Sequence, residues 1–211
     1  MSSTRVVVAL IIPQLVFQVG RAPEKGLIQK RSLYDWSTRI PMIIDYPGAD
    51  QRIVDTPVSL IDLPATLLDM TGTEPTTSMD GRSLLPAVLG EALDDIPVIS
   101  EYHGEGIMKP CFMVRRGPWK YIYIHRGQAQ LFNIELDPDE WNNLSGQPDV
   151  RDIEKELNGV VTGGSFDLDF IEKDIWERLA QKQVVNRAMA LNGTRWDYRV
   201  EQDPASQYVR T

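Results

Sequence analysis

The sequence predicts an α/β protein whose core ends in a short buried strand and continues into a small antiparallel sheet packed on a long helix. Three observations carry this prediction. Residues 40–44 form an apolar run flanked by prolines, residues 108–133 hold short β-rich runs separated by glycine and proline, and residues 167–191 place apolar side chains at helical spacing. The proline-flanked run is typical of a strand buried on both faces of a parallel sheet.

Length and charge limit the classes of function. The chain has 211 residues with 42% apolar content, which is enough to bury one substantial core or two small ones. Its net charge is -8 and its pI is about 4.8. Nucleic acids and anionic membrane surfaces bind clustered Lys and Arg, so neither is expected as the main partner.

Cys111 is the single cysteine of the sequence. One cysteine excludes an internal disulfide and a metal site of several thiolates, and it suits a reducing compartment, so we expect a cytoplasmic protein. Residues 6–17 outline a short signal peptide, but Pro13 and Gln14 interrupt it, and a buried strand or a mis-framed start is favoured. No run reaches the roughly 20 apolar residues of a membrane-spanning helix.

Two helices and a further strand are predicted between the core strand and the small sheet. Residues 58–70 carry an apolar stripe with Gly72 as the stop signal, and Pro64 indicates that the helix starts or kinks there. Residues 83–89 predict a weaker, shorter helix. Residues 98–102 predict a short strand.

The small sheet is predicted as an antiparallel meander. Its strands are placed at residues 112–115, 120–125 and 129–133, with turns at the Gly-Pro and Arg-Gly pairs between them. One face of this sheet is expected to pack against a helix, through Phe112, Val114, Trp119, Tyr121, Tyr123, Leu131 and Phe132.

The segment GLIQKRSLYDWSTRIP, residues 26–41, places charged and aromatic side chains ahead of the core strand. It resembles a segment of the sulfatase family, and the matching residues are Lys30, Tyr34, Asp35, Arg39 and Pro41. Four further resemblances follow in family order: VSLIDLPATLLDMTG, DGRSLLPAVLG, RRGPWKYIY and LFNIELDPDEWNNL. Together they imply the C-terminal part of an alkaline-phosphatase-like sulfatase fold.

The resemblance implies four parts. Residues 1–23 are an atypical or mis-framed N-terminal segment, residues 24–95 the end of the α/β core, residues 96–193 a small C-terminal α+β subdomain, and residues 194–211 an extended tail. The long helix lies in the third part, with Gly193 as its stop signal. The tail has no helical or strand period, so it orders only if something holds it.

The segment SEYHGEG and the tail resemble those of choline-specific sulfatases, which hydrolyse choline-O-sulfate to choline and sulfate. A quaternary ammonium cannot donate a hydrogen bond, so its site needs aromatic faces and carboxylates. The resemblance implies Glu105, with Glu101 as second choice, as the carboxylate in the body of the domain. In that group a C-terminal tail brings an acid to the neighbouring subunit's site, which implies Asp203 or Asp197 here and a homo-oligomer formed through the tail.

Lys30 is the residue that the resemblance places on the substrate sulfate, where a cation meets the charge that develops as the S–O bond breaks. The family nucleophile is a formylglycine made from Cys or Ser in a Cys-x-Pro-x-Arg setting. Cys111 is followed by Phe112 and Met113 and lacks that proline. We therefore expect Cys111 to be a buried, small apolar residue.

The family's divalent metal, which is calcium, magnesium or manganese in the complete enzyme, needs acids and a His or Asn just before the lysine segment. Residues 11–23 contain no Asp, Glu, His or Asn, so no cofactor is expected in this chain. We expect a fragment, a shifted frame or an alternative start, inactive alone. Its core strand would leave Ile40, Met42, Ile43 and Ile44 as an exposed apolar edge.

Three functions remain open. The favoured one is the C-terminal part of a choline-sulfatase-like hydrolase. The second is a non-catalytic module that binds a quaternary ammonium such as choline through Glu105 and its aromatic neighbours. The third is a sulfatase part that acts on another sulfate or phosphonate ester, because Lys30 says nothing about the leaving alcohol. His103 is interpreted as a hydrogen-bonded loop residue, and His125 is assigned no function.

Overall fold

A computed structural model describes residues 7–10, 32–103, 107–164 and 166–193. These residues form two compact units that divide after Leu168. The second unit holds most of the long helix α5 (Leu168–Leu191), whose predicted bounds are confirmed, with Gly193 following at φ 65°. Within the described part of the chain, none of the helices combines the length and apolar character that crossing a membrane requires.

The first sheet has two antiparallel strands, β1 (Val7–Leu10) and β2 (Met42–Asp45). The four-residue helix α1 (Asp35–Thr38) comes just before β2. The prediction of a core strand buried on both faces is not met, because Ile43 is 51% exposed. Among the described residues β1 is the only strand beside β2, and it runs antiparallel, so the apolar edge expected for this strand is open.

Helix α2 (Asp62–Thr71) begins two residues before Pro64. The proline therefore lies in the first turn, where its missing N–H removes no helical hydrogen bond. Gly72 ends the helix in the left-handed conformation at φ 63°, as its stop signal predicted.

The short helix α3 (Leu85–Val88) is joined to α2 by one buried hydroxyl. Thr66 donates to the carbonyl of Asp62 at 2.7 Å and accepts from the backbone N–H of Leu84 at 2.9 Å. Because Thr66 is fully buried, both hydrogen bonds lie away from water and fix the spacing of the two helices.

The approach to α2 is crowded at Gly81. A Cβ added to Gly81 would stand 1.9 Å from the carbonyl oxygen of Ile61. Glycine is therefore required here by space rather than by backbone angle. The close approach lets the Asp62 carboxylate accept from the backbone N–H groups of Ser59 at 2.8 Å and Arg82 at 3.0 Å.

The second sheet confirms the predicted meander. Its four antiparallel strands pair in chain order: β3 (Val98–Tyr102), β4 (Cys111–Arg116), β5 (Trp119–Ile124) and β6 (Gln130–Asn133). The turns between them place Gly117 at φ 49° and Arg126 at φ 51°. Both turns fall where the sequence predicted them.

Successive residues of a strand point to opposite faces, so alternate residues of each strand lie on the two faces of this sheet. One face packs under α4 (Arg151–Thr162), a helix that the sequence interpretation missed, through Leu157 and Val161. The other face carries the core cluster of Leu33, Cys111, Met113, Ile122, Phe132 and Ile134. Phe132 was expected on the first face, but it adjoins Leu131 in β6 and therefore points the other way.

Candidate functional site

The described residues contain one of the five predicted substrate-binding residues, Glu101. Lys30, Glu105, Asp197 and Asp203 lie outside the described residues. The candidate site is therefore built from the parts of the chain that flank these positions. These are the end of β3 and the segment that follows Lys30.

Glu101 lies near the end of β3, in register with Phe112 of β4. Its carboxylate Oε2 is 3.1 Å from Nε2 of His103, and the Glu101 side chain is 47% exposed. The His103 ring packs edge-on against Phe112, with ring centroids 5.1 Å apart. The structure thus places a half-exposed carboxylate beside the His103 ring, which packs edge-on against the fully buried Phe112. His103 is a hydrogen-bonded residue, as the sequence predicted.

A cavity of about 740 Å³ runs along β3 and includes Glu101. The rest of its lining comes from residues 96–100, Ser59, Ile61, Asp62, Asp80, Arg82 and Phe166. The Asp62 carboxylate is already held by two backbone N–H groups, whereas the partner of Glu101 among the described residues is the His103 side chain. A cation that binds between a carboxylate and an aromatic ring would find both in the lining of this cavity, as Glu101 and Phe166.

Residues 33–38, which follow Lys30, are attached to the second sheet. Leu33 is buried in the core cluster. The Tyr34 ring stands edge-on to Phe132, with centroids 6.2 Å apart, and its hydroxyl donates to Oε1 of Gln130 at 3.0 Å. The tyrosine singled out in the sequence motif therefore docks the segment on the sheet.

The next residue, Asp35, meets two buried charges. Nζ of Lys120 on β5 lies 2.7 Å from Oδ1 of Asp35 and 2.8 Å from Oε1 of Glu140, and the Lys120 side chain is fully buried. The backbone N–H of Asp35 donates to Oε2 of Glu140 at 2.8 Å. We call Lys120, Asp35 and Glu140 the ionic cluster. It closes a ring of contacts between α1, β5 and the turn after β6.

A second cation lies near the ionic cluster. Arg115 is the cross-strand neighbour of Lys120, and its guanidinium donates to the carbonyl of Pro118 at 3.1 Å. Burial lowers the pKa of Arg115, while the carboxylates of Asp35, Glu135 and Glu140 oppose that shift. An arginine still holds its proton under such conditions. The buried Glu140 and the partly exposed Asp35 are therefore balanced by two cations, Lys120 and Arg115.

Cys111 has the structural role that the sequence predicted. It is buried in the core cluster, and its Sγ donates to the carbonyl of Lys109 at 3.4 Å. Burial raises the pKa of the Cys111 thiol, although the Lys109 charge opposes the shift. A thiol that resists ionisation is a poor nucleophile.

Sequence reasoning missed Lys120 and Glu140 as parts of this region, although both lie in the quoted motifs. A signal for Lys120 was present, because it shares its strand face with Ile122 and Ile124 and a lysine in such a row needs a buried partner. The sequence held no such signal for Glu140, because its partners Lys120 and Asp35 lie 20 and 105 positions away along the chain.

Comparisons with known proteins fit this architecture. Residues 23–163 match the family described as N-sulphoglucosamine sulphohydrolase, C-terminal. The chain is 32% identical to choline-sulfatase of Rhizobium meliloti over 194 residues, which are 89% of this chain and 38% of that protein. It is 34% identical to arylsulfatase K of Gallus gallus over 154 residues, which are 66% of this chain and 29% of that protein.

A solved structure of a 2-O GAG sulfatase shares the fold. The two superpose with a TM-score of 0.57 at 31% identity, over 64% of this chain and 31% of the other. The chain thus spans 38% or less of the length of each of these relatives.

Proposed function

The chain belongs to the sulfatase family, and we propose that it forms the C-terminal part of a sulfuric ester hydrolase that acts on choline-O-sulfate. Its α/β fold is that of alkaline-phosphatase-like sulfatases. The observation that carries the substrate proposal is the 32% identity to choline-sulfatase over 89% of the chain. The half-exposed carboxylate of Glu101, which is hydrogen-bonded to His103 and lines a cavity with Phe166, supports it.

In this proposal the cationic and anionic ends of the substrate meet different residues. Lys30 faces the sulfate and stabilises the charge that develops on its oxygens. The trimethylammonium group meets a carboxylate from Glu101 or Glu105, and a second acid, Asp197 or Asp203, comes from the tail of a neighbouring subunit. The acids act by charge alone, because a quaternary ammonium offers no hydrogen to accept.

The ionic cluster does not fit the divalent metal that sulfatases generally use. Lys120 Nζ lies within 2.8 Å of both Asp35 and Glu140, so an ammonium already holds the place that a cation would take between these acids. We assign no metal to these residues. The nucleophile and the metal ligands of the reaction are proposed to come from the part of the sulfatase fold that the relatives have and this chain does not match.

A hybrid enzyme tests the proposal. This chain replaces the matching C-terminal part of the Rhizobium meliloti choline-sulfatase, and sulfate release is measured from choline-O-sulfate and from the neutral ester 4-nitrophenyl sulfate. We expect release from both esters, and loss of both activities with Lys30→Ala. Glu101→Gln is expected to raise KM for choline-O-sulfate about two- to fivefold, as for a partly exposed ion pair, and to leave KM for the aryl ester unchanged. The exposed Glu91→Gln is the matched control.

The outcomes separate the three functions that the sequence leaves open. A folded hybrid that hydrolyses the aryl ester but not choline-O-sulfate favours another ester substrate, which the identity to arylsulfatase K also allows. A folded hybrid that hydrolyses neither ester contradicts the hydrolase proposal. In that case calorimetry of this chain with choline decides whether it is a binding module.

A further inference from the structure

We propose that α5 pairs antiparallel with α5 of a second copy of this chain, through an apolar stripe on its exposed side. The stripe consists of Trp176, Ala180, Val184, Ala188 and Leu191, and we call it the α5 stripe. The proposal is independent of the proposed function, because none of these residues is assigned to the substrate. It also differs from the oligomer expected through the tail, because it uses described residues of α5 alone.

The α5 stripe is continuous along the helix and open to solvent. A helix turns by about 100° per residue, so these five side chains fall within an arc of about 120°. All five residues are exposed, and the largest exposed fractions are 70% for Val184 and 80% for Leu191. Apolar side chains in a row on one side of a helix are typical of a surface that packs against another element.

A second apolar face of α5 is already covered. Ile175 is buried, and Ile171 and Leu179 are half-buried. These three residues lie about 160° around the helix from the centre of the α5 stripe. From residue 180 to residue 188, in contrast, every residue is exposed. Because helices in proteins gain most of their stability from tertiary packing, this half of α5 is expected to pack against another molecule.

The charges of α5 favour a second copy of the same helix, in the antiparallel direction. Residues 168–179 hold four acids and two bases, whereas residues 180–191 hold Lys182 and Arg187 and no acid. Parallel pairing would place like halves together, and antiparallel pairing places each acidic half beside a basic half. The helix dipole favours the same distribution of charge within one helix, but it does not account for the exposed stripe.

The order of residues along the α5 stripe fits a two-fold axis at Val184. Alanine stands four residues before Val184 and four residues after it. In an antiparallel pair, Val184 then meets its own copy, and Ala180 meets Ala188 of the second copy. Glu177 and Arg187 of the second copy lie on the same side of the axis, about 6 Å apart along it, which their long side chains can span.

A lipid surface is a poorer partner for this helix. Helices that lie on membranes carry a polar face rich in Lys and Arg, whereas α5 holds four acids and four bases. The contact from residue 176 to residue 191 is only about 24 Å long. We therefore expect a reversible dimer with a dissociation constant on the order of 10 µM.

Sedimentation velocity of the full chain over a concentration series tests the pairing. We expect exchange between monomer and dimer. Val184→Lys should raise the dissociation constant at least about tenfold, because it places two ammonium groups together at the axis. Val185→Lys is the matched control: Val185 is 55% exposed but lies outside the α5 stripe, so the dissociation constant should stay unchanged.

A charge exchange tests the antiparallel direction. Glu177→Arg and Arg187→Glu should each raise the dissociation constant about three- to tenfold, as for exposed ion pairs that become repulsive. The double variant should restore it, because each new arginine then meets a new glutamate of the second copy. Arg151→Glu, an exposed site on α4, has the same charge change as Arg187→Glu and should have no effect.

Crosslinking gives a direct test of the register, in a Cys111→Ala background. Ala180→Cys and Ala188→Cys should each form little disulfide alone and should form it readily when mixed. Self-crosslinking of both variants alone would indicate a parallel pair and overturn the proposal. A parent chain that stays monomeric throughout the series also overturns it. A dimer that Val184→Lys leaves unchanged does so too, since the contact would then lie on another surface, such as the open edge of β2.

Discussion

The two faces of the four-stranded sheet are covered by the same chain with different chemistry. Under α4 the buried side chains are apolar: Phe112, Val114 and Leu131 on the sheet and Leu157 and Val161 on the helix are fully buried. On the opposite face the apolar core cluster adjoins an equally buried lysine, which lies between two acids.

Apolar contacts and buried ion pairs contribute differently. Removing apolar surface from water is favourable in almost any orientation, so the face under α4 mainly supplies stability. A buried ion pair returns little net stability, because both charges lose their hydration, but it is costly to misalign. The comparison teaches that both faces bury apolar side chains, and that among the described residues the face opposite α4 adds a buried charge whose partners align α1.

The largest effect is expected when the ionic face loses its lysine. Lys120→Met removes the cation that lies between the buried Glu140 and the partly exposed Asp35, which should lower the free energy of unfolding by about 3–5 kcal/mol, measured by urea denaturation. The triple variant with Asp35→Asn and Glu140→Gln is the control and should recover most of the loss. A single variant as stable as the parent would show that the cluster is not a buried ionic one.

The next effect belongs to the apolar face. Leu157→Ala should lower the free energy of unfolding by about 2–4 kcal/mol, because it removes buried methyl groups and leaves a cavity under α4. Leu136→Ala is the matched control: Leu136 is 85% exposed, and its loss should cost less than about 0.5 kcal/mol. Equal losses in the two variants would remove the distinction between the faces.

A smaller effect is expected at Tyr34, which contacts the sheet through an apolar ring and a hydrogen-bonding hydroxyl. Tyr34→Phe keeps the ring against Phe132 but removes the hydrogen bond to Gln130, which should cost about 0.5–1.5 kcal/mol. A double-mutant cycle with Gln130→Ala isolates the bond in urea denaturation. A coupling energy of zero would mean that the ring alone docks the segment.

The smallest effect at neutral pH concerns Tyr121, on the face under α4. Burial raises the pKa of Tyr121 to about 12, and Glu154 and Tyr123 add to the shift. In the unfolded chain tyrosine titrates near about 10, so the folded state holds this proton more tightly. The stability from Tyr121 is complete below about pH 10 and is lost as pH rises through about 12.

Thermal unfolding between pH 7 and pH 11 checks this sign. The parent should lose stability in the alkaline range, and Tyr121→Phe should lose less of it. If the stability of the parent and of Tyr121→Phe fell in parallel with pH, the alkaline loss of stability would come from groups other than Tyr121.

The elements that the sequence predicted well are those with local signals. The meander was readable because its turns carry glycine and its strands carry β-branched and aromatic residues, and α2 was readable from its stripe and from Gly72. Helix α4 was missed, although Ile153, Leu157 and Val161 recur every four residues, because its polar residues and Gly159 resemble a linker.

Non-local features were beyond the sequence pattern. The apolar run of β2 shows what the strand prefers to contact, but not which neighbours it has, so its exposure could not be read from composition. The pairing of Lys120 with Asp35 and Glu140 depends on how the meander folds back over α1. Of the predicted substrate-binding residues, Glu101 is placed on a cavity wall, and the roles of all five stay predictions.

The crowding at Gly81 bears on how this gene can vary. Any codon change that gives position 81 a side chain forces the carbonyl of Ile61 away, and with it the start of α2, however mild the new residue is chemically. Gly159 on α4 has open space around it and is free to drift. We therefore expect position 81 to stay glycine for reasons of backbone volume, whatever substrate the protein acts on.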